Sequence, residues 1–208
     1  PESWRGRRVV IHVGAAESCL EVYCNGKFIG LGKDTRLPSE FELTPALDFD
    51  GENVLACRVI RWSDSSYIED QDQWWMAGIY RSVYLYATRE SYFADIFSNG
   101  DLDVVSGRGL LRVEIRLGMD VAFFLKQVGG VNGIRGPEQD FTVSARLLDA
   151  DGGEVWRGEK IVSCRFRHDN YRTVIEAEIP AVKPWSAEQP DLYTLELELR
   201  AGEELLAR

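Results

Sequence analysis

The run Thr194 to Arg200 (TLELELR) sets Leu195, Leu197 and Leu199 against Glu196, Glu198 and Arg200 at a strict two-residue period. Side chains of an extended chain alternate between two faces, so the run is predicted as a half-buried strand. A slip of one residue would put three leucines in water and three charges in the core, so its register is well specified. Related runs fill the chain. Arg8 to Val13 (RVVIHV) is rich in β-branched residues. Cys19 to Cys24 (CLEVYC) and Leu110 to Leu117 (LLRVEIRL) alternate. Further strands are predicted over Lys27–Gly30, Phe41–Leu43, Ile79–Ala87, Phe141–Leu148, Glu154–Cys164 and Tyr171–Ile179. Val54 to Trp62 (VLACRVIRW) is apolar on both faces, which predicts a strand held centrally between layers.

Turn signals separate these runs. Asn25-Gly26 tolerates the positive φ angles of a type I′ turn and predicts a hairpin. Asp151-Gly152-Gly153 marks a second one. No amphipathic helix is evident. Short strands with turns between them predict an all-β chain of tandem β-sandwiches. The texture changes around Thr88 to Tyr92, which divides the chain into residues 1–89 and 90–208. Between Phe123 and Asp140, Gly129-Gly130, Asn132-Gly133 and Gly136-Pro137 predict a long loop. A (β/α)₈ barrel is excluded, because nothing alternates strand with helix and such a barrel alone needs roughly 250 residues.

Composition narrows the functions. Net charge is −10, with the acid excess in both halves and no basic stripe, so nucleic acid and anionic membrane surfaces are not expected partners. No apolar run reaches the roughly 20 residues of a membrane helix. Cys19, Cys24, Cys57 and Cys164 lack the C-x-x-C spacing of a zinc site and read as free, buried thiols. His12 and His168 are isolated, and no G-x-S-x-G elbow supports a serine hydrolase. Gly30-Leu31-Gly32-Lys33 does not meet the phosphate-loop pattern.

The chemistry concentrates in Arg61 to Arg81 (RWSDSSYIEDQDQWWMAGIYR). Asp64, Glu69, Asp70 and Asp72 stand among Trp62, Tyr67, Trp74 and Trp75. Carboxylates accept hydrogen bonds from hydroxyls, and flat rings cover the apolar faces of a pyranose, so the segment suits a sugar.

Three passages resemble the β-galactosidases of glycoside hydrolase family 2. They are Asn25-Gly26 through Phe41 (ending GLGKDTRLPSEF), Gly51 to Leu85 (GENVLACRVIRWSDSSYIEDQDQWWMAGIYRSVYL) and Pro184 to Leu199 (PWSAEQPDLYTLELEL). The resemblance implies part of a jelly-roll sugar-binding domain, lacking its early strands, followed by an immunoglobulin-like sandwich. It also implies that the catalytic acid/base and nucleophile belong to a barrel further on.

By the same resemblance, Asp72 holds the terminal galactose and ligates sodium near its 6-hydroxyl; a solvated acidic loop is the reading without it. Trp74 and Trp75 either shape the sugar pocket or pack, one in the core and the other at a domain boundary. Glu69 and Asp70 shape the loop, since three acids aimed at one neutral sugar would repel one another. Asp64 matches a magnesium position of some members. Its partner position is Lys33, an ammonium that cannot ligate a cation, which leaves a strand-end cap as the competing reading. Trp185 and Tyr193 read as packing residues.

The expected function is a non-catalytic portion of a retaining β-galactosidase, inactive alone, whose parent uses sodium and magnesium. No ion is expected to bind this portion tightly. The expected partners are a galactoside, the catalytic barrel and, in the parent, further copies of the subunit. A cytoplasmic location is expected over a periplasmic or secreted one. A free-standing carbohydrate-binding module is the alternative from another class, and a β-glucuronidase or β-mannosidase relative is the alternative within the family. The loop after Phe123 and the His168–Arg172 stretch could reach a neighbouring subunit, against the plainer reading of a surface loop.

Overall fold

A computed structural model of the chain describes residues 1–119, 140–163 and 171–208. Most of the expected loop after Phe123, together with Cys164 and His168, lies outside the described residues, and so do the two readings of subunit contact. The chain forms two compact units, Pro1–Thr88 and Arg89–Arg208. All strand pairs are antiparallel, and the all-β, tandem-sandwich expectation holds. No helix among the described residues is long and apolar enough to cross a membrane.

In the first unit, β1 (Arg8–Val13) lies between β5 (Ser39–Glu42) and β8 (Val83–Thr88). A second sheet places β3 (Cys19–Cys24) between β4 (Lys27–Gly32) and β6 (Leu55–Ile60). A short ladder joins β2 (Ala16–Glu17) to β7 (Gly78–Ile79). Ile11 and Val13 of β1 meet Leu20, Val22 and Cys24 of β3 in one buried cluster, closed by Leu43 and Ala46. The β3–β4 hairpin turns through Asn25 and Gly26, both at positive φ (50° and 76°), as a type I′ turn requires. The Asn25 side chain also accepts from Val54 N (2.8 Å) and donates to Ala46 O (2.9 Å), tying the hairpin to the next loop.

Two strand expectations are corrected here. The Val54–Trp62 run does not sit centrally: β6 is an edge strand and most of it, Cys57 included, is exposed. Its two apolar faces need cover on both sides, and β3 is its only ladder partner among the described residues. The free-and-buried reading therefore holds for Cys19 and Cys24, while Cys57 is free and exposed. The expected strand Ile79–Ala87 is broken: β7 pairs with β2, and β8 pairs with β1. Between them the chain changes sheet, and Gly14 N donates to Ser82 O (2.9 Å) at the crossing.

In the second unit, β10 (Arg108–Met119) lies between β9 (Ser91–Asp103) and β13 (Arg172–Ile179). The facing sheet runs β12 (Glu154–Ser163), β11 (Asp140–Leu148), β14 (Thr194–Ala201), β15 (Glu204–Ala207). Val113, Ile115 and Leu117 pack against Phe141, Val143, Ala145, Leu197 and Leu199. Each of these side chains except that of Ala145 contributes about 1.5–3 kcal/mol by leaving water. Leu197 and Leu199 are buried as the alternation predicts. On the opposite face Glu196 pairs with Arg146, and Glu198 with Arg200.

Candidate functional site

The acid–aromatic segment leaves β6 and enters one helical turn, α1 (Ser65–Ile68). Asp64 caps it, accepting from Ser65 N (3.1 Å), which satisfies a donor that has no partner inside the helix. Lys33 Nζ closes on both Asp64 oxygens, at 2.8 and 2.9 Å. The ammonium's hydrogen bond holds the Asp64 carboxyl below its ordinary range, and the carboxylate pushes Lys33 up. Behind the turn, Ser18 Oγ bonds to Ser63 Oγ (2.9 Å), Ser63 Oγ to Ser65 Oγ (2.8 Å), and Ser66 Oγ accepts from Ser63 N (3.1 Å). These hydroxyls anchor α1 to the start of β3.

Glu69 turns inward. Its carboxylate accepts from Thr35 N (3.1 and 3.3 Å) and from Thr35 Oγ1, and Thr35 is 1% exposed. The Tyr80 hydroxyl donates to Thr35 O, and Arg81 Nη1 donates to Arg36 O (3.2 Å). Asp34 Oδ1 accepts from Leu37 N (2.8 Å) and Arg36 N (2.9 Å), which hold its carboxyl below the usual range. The loop around Thr35 is thus fastened to both ends of the segment from Glu69 to Arg81. Nothing in the sequence pattern connects residues 34 positions apart; the burial of Thr35 exposes the link.

The tip of the segment points outward. Gln73 N donates to Gln71 O (2.8 Å), a three-residue turn with Asp72 at its apex. Asp72 is exposed and engaged by no hydrogen bond or ion pair among the described residues. Trp74 is 90% exposed. Trp75 is half-buried and packs against Trp62 with ring centroids 6.0 Å apart, while the Arg61 guanidinium lies 4.9 Å over the Trp62 ring. Arg36 Nε and Nη2 and Gln73 Nε2 are buried donors without a partner among the described residues.

The donor set can be compared with the two expected cations. No group of three or more His, Cys, Asp or Glu side chains converges among the described residues. Asp72 offers one free carboxylate, the kind of hard oxygen ligand a monovalent cation takes, and fits as a single contributor. Asp64 does not fit magnesium: both oxygens face an ammonium, and one also caps α1.

Residues 1–89 match the family description "Glycosyl hydrolases family 2, sugar binding domain", and residues 126–208 match "Glycosyl hydrolases family 2". The chain belongs to glycoside hydrolase family 2. This family 2 chain is 35% identical over 198 residues to a β-galactosidase of Priestia megaterium, covering 95% of the chain and 18% of that protein. It is 38% identical over 183 residues to a β-galactosidase of Vibrio cholerae, covering 85% of the chain and 16% of that protein. The chain therefore spans less than a fifth of these relatives. A β-glucuronidase from Bacteroides uniformis shares the fold at TM-score 0.79 and 22% identity, over 99% of the chain and 24% of that structure. A putative β-galactosidase from Bacteroides fragilis does so at TM-score 0.77 and 19% identity, over 99% of the chain and 30% of that structure.

Proposed function

We propose that this family 2 chain is the non-catalytic, sugar-orienting portion of a retaining β-galactosidase, with Asp72 as the group it extends to the substrate. The observation that carries this reading is the contrast between Glu69 and Asp72. Glu69 is consumed in holding Thr35, whereas Asp72 stands unengaged at the apex of the turn thus held. An ionised carboxylate presented in this way accepts short, strong hydrogen bonds from sugar hydroxyls. The exposed Trp74 ring offers a face for the C–H side of a pyranose.

Bond cleavage falls to two carboxyl groups elsewhere in the protein, about 5–5.5 Å apart in a retaining enzyme. One protonates the leaving oxygen and the other forms the glycosyl intermediate. Sodium, if bound, would supply a hard positive charge, and Asp72 would be one of the residues that hold it. Asp64 has no metal role in this reading and caps α1. The galactosidase names of the relatives favour a galactoside over a uronate, and Asp72 beside Asp70 would repel a uronate carboxylate.

The purified 208-residue chain is expected to leave a chromogenic β-galactoside uncut above a blank. Turnover by the chain would overturn the non-catalytic reading. The exposure of Trp74 favours one other reading, a carbohydrate-binding module that acts alone. Calorimetry with galactose and lactose separates the two: no detectable heat is expected, and micromolar binding would favour the module.

A further inference from the structure

The second unit holds a groove of about 530 Å³. It opens at one end of the sandwich, between the β9–β10 pair and the segment from Val182 to Tyr193. Leu102, Leu111, Leu147, Ile179, Val182 and Leu195 line its interior. Gly109 makes this closeness possible, because a Cβ there would meet Val182 Cγ1 at 2.6 Å. The overlying segment is held in place: Lys183 N donates to the Tyr193 hydroxyl (2.8 Å), and Ser186 and Gln189 close a turn on each other.

The rim differs in character from the interior. Trp185 was expected to pack in the sandwich, yet it is 62% exposed at the mouth. Lys183 and Asp191 also line the groove, and neither is in an ion pair among the described residues. This acid and this base leave no net charge between them for an ionic ligand to meet, while the unpaired Asp191 carboxylate accepts from hydroxyls. An apolar slot with a few polar groups at its mouth is the usual form of a small-molecule site, and its volume lies in the usual range. A bare sugar would leave its hydroxyls unsatisfied against the leucines.

We propose that this groove binds a neutral amphiphile of the alkyl- or aryl-glycoside kind. The apolar group enters among the leucines, and the hydroxylated head meets Trp185 and the Asp191 carboxylate. Every residue lining the groove belongs to the second unit, and the proposal does not depend on the role of Asp72.

The test is a titration of the isotope-labelled 208-residue chain, followed by amide and indole NMR shifts. The probes are hexyl β-D-glucopyranoside, methyl β-D-glucopyranoside and 1-hexanol. The hexyl glycoside is expected to move the Gly100 and Gly109 amides and the Trp185 indole, with affinity at least about tenfold above either half-probe. Gly100 lines the groove, and a Cβ there meets nothing within 4 Å. Gly100→Leu is therefore expected to fill the space and weaken binding by about tenfold or more. Trp185→Ala, at an exposed site, is expected to weaken it as well, and Asp72→Ala to leave it unchanged. Shifts absent at millimolar probe, equal binding of either half-probe, or undiminished binding in both Gly100→Leu and Trp185→Ala would each overturn the proposal.

Discussion

Lys33 Nζ lies 2.8 Å from Asp64 Oδ1, joining the end of the β3–β4 hairpin to the first residue of the acidic segment. The pair turns the Asp64 carboxylate into a clasp and leaves Asp72, eight residues on, as a free acid of the tip. This contact has a defined pH signature. The Asp64 pKa is depressed, so its contribution is present above the unfolded value near 3.9 and is lost as pH falls through the folded value. The Lys33 pKa is raised, so its contribution is present below about 10.4 and is lost as pH rises through the folded value. Thermal melts of wild type and Lys33→Met should differ by a constant, small amount between those limits. The gap should shrink in high salt and close in acid.

Removing the Glu69 carboxylate orphans a buried amide and hydroxyl of Thr35. Glu69→Ala is expected to destabilise the chain by about 1–3 kcal/mol. Asp70→Ala, at the exposed neighbour, should stay within about 0.5 kcal/mol. Urea unfolding of both variants checks the contrast, and equal values would show that Glu69 is not a fastener.

Ile115 is fully buried between the sheets of the second unit, whereas Ile161 is 66% exposed on β12. Ile115→Ala should cost about 2–5 kcal/mol. Ile161→Ala should cost no more than about 0.5 kcal/mol. Calorimetric melting of the two variants reads the difference.

Among the described cysteines, Cys57 is exposed on the edge strand, while Cys19 and Cys24 are buried. Local desolvation still pushes the Cys57 thiol up, so its reaction should be faster in alkali than at neutral pH. Mass mapping after brief alkylation should find Cys57 modified well before Cys19 and Cys24. Rapid labelling of Cys24 would contradict its place in the core.

The parts legible in the sequence are those whose outcome depends on their own pattern. Leu197 and Leu199 are buried because alternation leaves a strand one sensible register. Asn25-Gly26 turns because of its own φ preferences. The misread parts depend on neighbours. The exposure of β6 is set by which strands lie beside it, and the break in Ile79–Ala87 by where the chain changes sheet. The long β9 is absent from the expected strands; its ladder with β10 keeps it extended through Asn99-Gly100. In the candidate site, the motif around Asp72 was visible, but the Glu69–Thr35 clasp and the exposure of Trp185 were not, since both arise from contacts distant in sequence.

The most direct measurement of the central claim uses the full-length enzyme that contains this chain. Galactoside turnover is compared for wild type, Asp72→Ala and Asp70→Ala, with and without sodium. Asp72→Ala should lower kcat/KM by about 100-fold or more, equivalent to roughly 2.7 kcal/mol, and abolish the sodium response, while Asp70→Ala should keep both. Near-normal turnover with an intact sodium response in Asp72→Ala would remove this residue from the sugar site and contradict the account.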